Sequence, residues 1–315
     1  MPHFRRSLRL FLLLAGVVAG MITSLAAFFA RMVIRPPRQA LWATPADLGL
    51  AYEEVQFPAR DGLRLSGWFL PAADGQAAAT VILLHGWPWN RLGTANGSLI
   101  NDVPGSSPVQ LLHLALGLHR RGYQVLMFDL RNHGRSAAGG PVTFGLREAD
   151  DLLGAVDYLL ARPEVDPGRL AAVGFSMGAN TILYSLARTP HIRAAVAVQP
   201  VTPSPFARRY LGSLVGQLWR PVLAVATWMV RAAGGLGLPA VEPIFAAAGA
   251  GATPVLYVQG DGDPWGSVAD VSAMAAQTPN GATLIVPSAG RFDGYWYAID
   301  HPDVLDGFLR QHLSN

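Results

Sequence analysis

The sequence contains no cysteine and no lysine, and only 14% of its residues are charged. Without cysteine there is no disulfide, no thiolate metal site and no cysteine nucleophile. Without lysine, all 24 basic side chains are arginine, and against 21 acidic ones they leave a formal charge of +3 that invites a nucleic-acid reading. The distribution removes that reading. Arg5, Arg6, Arg9, Arg31, Arg35 and Arg38 flank an N-terminal apolar segment, and the remaining eighteen arginines face 21 acidic side chains, a balance of −3 with no basic footprint for phosphates. Metal and cofactor use find no support either. His113 and His119 lie six apart, off the i, i+4 spacing that puts two ligands on one helix face, and no Gly-x-Gly-x-x-Gly follows a strand pattern.

What the chain does have is one long hydrophobic run. Leu10 to Ala30 is 21 residues without a charge, bracketed by arginines on both sides. As a helix it spans a hydrocarbon core of about 30 Å. Three readings fit: a membrane anchor over residues 1–35, a cleaved signal peptide with Ser24-Leu25-Ala26 as its small-x-small site, and a buried helix of the domain. The run is longer than the ~7–15 residues of a signal h-region, which favours the anchor. Arginines are equal in number on the two flanks, so only the free amino terminus argues for an inside N-terminus and an extracytoplasmic globular part.

Residues 36–50, with Pro36, Pro37 and Pro45, are expected to link the anchor to one α/β domain over 51–315. Tyr52–Ala59 and Leu63–Leu70 alternate around Arg60-Asp61-Gly62 as an antiparallel hairpin. Thr80–Leu84, Gln124–Leu130, Ile192–Val198, Pro254–Gln259 and Ala282–Val286 read as strands. Helices are expected at Val109–Arg121, Glu148–Ala161 and Asp303–Leu313, and Asn90–Pro108 as a long loop over the sheet's upper edge. Strands alternating with helices imply a mostly parallel, eight-stranded sheet covered on both faces. Residues 201–250 break the alternation and read as a helical lid. Within it Pro221–Val230 is apolar except for Thr227, which suits a helix packed on the core, an acyl-pocket wall or a bilayer contact.

Arg169–Ala187 is the centre of the pattern: a strand-like run breaks at Gly174-Phe175-Ser176-Met177-Gly178 and continues as a helix. A serine at such a turn has strained backbone angles. Its neighbours two before and two after must be small, because strand and helix nearly touch there. Gly174 and Gly178 meet that demand.

With these pieces in order the chain resembles the α/β-hydrolase family, specifically its bacterial membrane-anchored serine hydrolases related to esterases and serine aminopeptidase-like proteins. The resemblance covers Tyr52 to Leu313 and rests on His85-Gly86-Trp87, Asp129 to Ser136, Gly174 to Gly178, and Gln259 to Trp265. It implies Ser176 as nucleophile, the amides of Trp87 and Met177 as oxyanion hole, and Asp263 rather than Asp261 as the triad acid. It also makes His85 and His133 structural. A small-molecule acyl or peptide substrate follows, in ester, thioester or amide linkage. The family's histidine should follow the last strand, in the loop Pro287–Trp296, just after Ala289-Gly290, and Arg291 stands there. Arginine keeps its proton at neutral pH and cannot serve as general base. Two function classes stay open: a serine hydrolase, either with His301 folding back as a replacement base or with weak or altered activity from the oxyanion hole and binding alone, and a catalytically silent binding or scaffold protein in which Arg291 pairs with Asp263.

Overall fold

The apolar runs form strands because their side chains are buried on both faces of one sheet. In a computed structural model, which describes residues 2–72, 78–95 and 104–313, the main sheet has eight strands. These are β1 Glu53–Pro58, β2 Arg64–Leu70, β3 Thr80–Leu84, β4 Gln124–Asp129, β5 Leu170–Phe175, β6 Ile192–Val198, β7 Val255–Gly260 and β8 Gly281–Val286. Their order across the sheet is β1-β2-β4-β3-β5-β6-β7-β8. Only β2 runs against the rest, as the hairpin around Arg60-Asp61-Gly62 requires. Residues along a strand alternate between faces. Ile82 and Leu84 accordingly join one core cluster and Val81 and Leu83 the other.

The first cluster is covered by α3 (Ala149–Leu160), α4 (Met177–Leu186) and α8 (Val268–Gln277), through Leu152, Val156, Ile182, Leu183, Val271 and Met274. The second is covered by α2 (Leu111–His119), α9 (Arg291–Asp300) and α10 (Pro302–Leu313), through Leu114, Leu118, Ala298, Leu305 and Leu309. Because β3 to β8 are mutually parallel, their C-terminal ends form one rim. The turns bearing Trp87, Ser176, Gln199, Asp263 and Arg291 all lie on it.

α2 begins at Leu111 because Val109–Gln110 pairs with Gly93–Thr94 as a short antiparallel ribbon. Residues 96–103 of the expected Asn90–Pro108 loop lie outside the described residues. The stretch Pro287–Trp296, expected as a loop, is a loop only as far as Gly290. Asp293 Oδ2 accepts from the amides of Ala289 at 2.6 Å and Gly290 at 3.1 Å, and this cap starts α9 at Arg291.

The insertion between β6 and β7 contains α5 (Pro203–Val215), α6 (Trp219–Ala232) and α7 (Pro243–Ala247). The first two roof the rim, whereas α7 packs beside α4 and α8. The N-terminal apolar run lies in α1, Pro2–Ile34. Its N-terminal half is exposed, Leu13 at 67% and Val17 at 70%, while Ala26 and Ala30 are buried against the roof in a third cluster with Leu211, Val222, Ala226 and Val230. Residues 36–50 run along the sheet domain and are tied to it. Arg38 donates to the carbonyl of Gly134 at 2.9 Å, Asn90 donates to that of Gln39 at 3.1 Å, and Leu50 is buried in the second core.

Candidate active site

Ser176 ends β5 and caps α4 with φ 51° and ψ −109°, a positive φ that a side chain rarely adopts. The turn is held by the Ser176 amide donating to the Val198 carbonyl at 2.9 Å. A Cβ on Gly174 would lie 2.5 Å from the backbone of Gly178, and one on Gly178 would lie 2.5 Å from the Leu84 carbonyl oxygen, so any larger side chain at either position would push strand and helix apart. Met177 is the first residue of α4, where an amide has no intrahelical acceptor. Trp87, on the turn after β3, lines the same cavity as Ser176, and its indole Nε1 donates to the Met32 carbonyl of α1 at 3.0 Å.

Asp263 follows β7. Its Oδ1 accepts from the amides of Trp265 and Gly266, both at 2.9 Å, and its Oδ2 accepts from Arg291 Nη1 at 2.5 Å. Burial works to raise this carboxyl. The Arg291 cation and the two backbone donors outweigh it and hold the group below its ordinary value. Asp261, by contrast, is exposed and accepts from the Ser288 amide at 2.8 Å, bracing the turn after β8.

Arg291 is 4% exposed and sits between acid and serine. While Nη1 binds Asp263, Nη2 donates to the Gln199 carbonyl at 3.1 Å and reaches Ser176 Oγ at 3.3 Å. The guanidinium is flanked by the rings of Phe206 from α5, at 5.0 Å, and Tyr295 from α9, at 5.1 Å. Burial works to lower its pKa, but the neighbouring Tyr295 and Asp263 leave it raised, so the group stays a cation. Tyr295 packs its ring against the guanidinium, and burial pushes its phenol above its ordinary value. It is therefore a neutral phenol, not a phenolate that could take the serine proton.

The expected residues thus meet, with one exception. His301 is exposed at the C-terminal end of α9, its ring packed on Tyr297 with centroids 4.5 Å apart. The nine helical steps from Arg291 to Asp300, at ~1.5 Å each, put His301 beyond ~13 Å along the axis. The loop does not fold back, because α9 continues as a helix through Asp300 and carries His301 away from the rim. The other histidines are occupied elsewhere. His85 is fully buried, with Nε2 accepting from the Leu130 amide at 3.0 Å, and burial drops its pKa to about 3. His133 is buried against it with ring centroids 5.1 Å apart.

Sequence reasoning missed Gln199, Phe206 and Tyr295. Gln199 has φ 47°, donates from Nε2 to the Arg291 carbonyl at 2.6 Å and presents its own carbonyl to the guanidinium. Tyr295 lies four residues after Arg291 and so on the same face of α9, a signal open to anyone who had placed the helix start at Gly290-Arg291. Phe206 reaches the site only through tertiary packing of the roof.

Above Ser176 is a cavity of about 110 Å³. Its walls come from the rim (Trp87, Trp265, Tyr295), from the roof (Phe206, Leu223, Ala226) and from α1 (Phe29, Ala30, Val33). Among the described residues no group of three or more His, Asp or Glu could hold a metal ion.

Comparison with known proteins agrees with this architecture. An uncharacterized protein of Salmonella typhimurium, YfhR, is 28% identical over 296 residues, covering 89% of this chain and 87% of its own length. A thiohydrolase of Arthrinium phaeospermum, apmlB, is 31% identical over 163 residues, 50% of this chain and 46% of that one. Among solved structures, the Pyrococcus furiosus esterase Pf2001 superposes with a TM-score of 0.68 at 24% identity, over 89% of this chain and all of the esterase. The sequence profile of the alpha/beta hydrolase family matches residues 81–310, from the first fully buried strand into the last helix, and with the strand order and the Ser176 turn this makes the chain a member of the α/β-hydrolase family.

Proposed function

We propose that this protein is a membrane-anchored α/β-hydrolase family member that holds an acyl ligand over Ser176 without hydrolysing it. One observation carries the reading: the Arg291 guanidinium fills the space between Asp263 and Ser176 in which a general base would have to stand. Nucleophilic attack needs the serine proton removed as the bond forms. Arg291 stays protonated, Tyr295 is a neutral phenol, and among the described residues no histidine lines the cavity. The amides of Trp87 and Met177, on the turns after β3 and β5, would bind a carbonyl oxygen in this reading, which suits recognition of an ester, thioester or amide.

Two features of α1 support the anchor. Residues 6–34 form 29 helical residues whose most apolar 18-residue stretch has a mean hydropathy of 2.3, long enough to span a bilayer. Signal cleavage after Ala26 would also strip a buried residue from the cluster that seals the roof.

The test is covalent labelling of the full chain by a fluorophosphonate probe, with Ser176→Ala as blank. The parent should stay unlabelled, and Arg291→His, which sets an imidazole beside Asp263, should accelerate labelling by about 10²–10⁴-fold, the usual worth of a positioned base. Rapid stoichiometric labelling of the parent would overturn the proposal.

A further inference from the structure

The cavity over Ser176 has an unusual wall. Phe29, Ala30 and Val33 belong to the same continuous helix whose preceding turns carry exposed Phe11, Leu13 and Val17. The helix that fits a bilayer therefore runs on into the site without a linker. Opposite it, α6 presents Leu223 and Thr227 to the cavity and packs Val222, Ala226 and Val230 on Ala26 and Ala30. The fully buried side chains of this α1–α6 seam are alanines and valines, with Leu25, Phe29, Leu223 and Met229 packed around them, so the seam is apolar throughout. Trp228 on α6 is 67% exposed, an indole on the roof's outer surface of the kind that seats at a membrane interface. Inside, the only charged wall among the described residues is Arg291, already neutralised by Asp263. A strongly polar ligand from water would find only a few partners, such as Ser176, Thr227 and Tyr295, to replace its hydration, whereas an alkyl chain loses none.

We infer that the ligand is the acyl chain of a bilayer glycerolipid, which enters the Ser176 cavity sideways from the membrane through the seam between α1 and α6. The inference rests on the reading of Ser176 as an acyl-binding site and adds the source and the route.

The test uses the full chain in phosphatidylcholine vesicles doped with a phosphatidylcholine bearing a diazirine at the end of its sn-2 chain, with adducts mapped after irradiation. Adducts are expected on the exposed face of α1, at Leu13 and Val17, and also at Phe206, Trp265 and Phe292, which line the cavity but lie outside α1. Ala226→Trp, or the milder Ala30→Leu, should close the seam and cut the three cavity adducts several-fold, with those at Leu13 and Val17 unchanged as proof of insertion. A second arm supplies diazirine-bearing octanoate from water. Labelling of Phe206, Trp265 and Phe292 by octanoate but not by the phospholipid would overturn the bilayer route and leave the acyl-site reading standing. Cavity labelling by neither probe would overturn both.

Discussion

Of the buried arginine–aspartate pairs at the rim of this sheet, Arg91–Asp129 and Arg291–Asp263 do different things. Arg91 and Asp129 have side chains 1% and 0% exposed, and Arg291 and Asp263 have side chains 3% and 0% exposed. Asp129 accepts from the Arg91 amide and guanidinium at 2.8 and 2.7 Å and from the Arg135 amide at 2.8 Å, while Arg91 also donates to Ser66 Oγ at 2.9 Å. The two amides and Arg91 Nη2 end on fixed protein and the guanidinium stacks over the Trp68 ring at 4.7 Å, while Nε has no hydrogen-bond partner among the described residues. The second pair has the same chemistry but borders a cavity, and the spare nitrogen of its arginine ends on Ser176. Enclosed by solid protein, an ion pair ties loops together. On a cavity wall the same pair decides what a neighbouring hydroxyl can do.

The comparison is tested hardest by removing one carboxylate from each pair. Asp129→Asn strands Arg91 in dry protein and should cost about 3–5 kcal/mol, a large share of a typical domain's stability. Asp263→Asn should cost clearly less, because Arg291 keeps the Gln199 carbonyl, two aromatic faces and a cavity that water can enter. Denaturant unfolding of the detergent-solubilised chain reads both, and equal losses would break the distinction. Acid supplies the sign. Each carboxyl is held below its ordinary 3.8, so its contribution is present above that value and is lost as pH falls through its lower folded value. Each asparagine variant should lack its share of that acid loss.

A pH profile separates the two arginines' roles further. Fluorophosphonate labelling of the parent should stay at background between about pH 5 and about pH 9, because neither Arg291 nor Tyr295 changes charge there. In Arg291→His the rate should fall about tenfold per pH unit below the imidazole pKa, since only the neutral ring accepts a proton. A parent profile that rises through neutrality would mean that some other group activates Ser176.

Much of this was readable in advance, for identifiable reasons. The buried strands announce themselves as unbroken apolar runs. The Ser176 turn does so because Gly174 and Gly178 are a local steric necessity, and the arginine because its place after the last strand is fixed by chain order. What stayed hidden depends on groups far apart in sequence. Nothing in the periodicity of residues 10–30 says that Phe29 and Phe206 will share a cavity wall, or that residues 36–50 will lie along the sheet instead of hanging free. The start of α9 was hidden for a different reason. Gly290, Gly294 and charged residues give the stretch the composition of a loop, and the helix is decided by a single carboxylate, Asp293.

That carboxylate offers the finest test of the comparison. Asp293 touches neither Ser176 nor Asp263 in the hydrogen-bond pattern; it binds the amides of Ala289 and Gly290 and thereby sets where α9 begins and how Arg291 is presented. Asp293→Ala should cost about 1 kcal/mol, as for other lost helix caps. In the parent background labelling should not change, because loosening Arg291 supplies no base. In the Arg291→His background the same loss should slow labelling, because the imidazole would no longer be held between Asp263 and Ser176. If Asp293→Ala lowers stability equally in both backgrounds and leaves the Arg291→His labelling rate untouched, the helix start would be mere scaffolding, and the geometry at residue 291 would owe its precision to Gln199 and Asp263 alone.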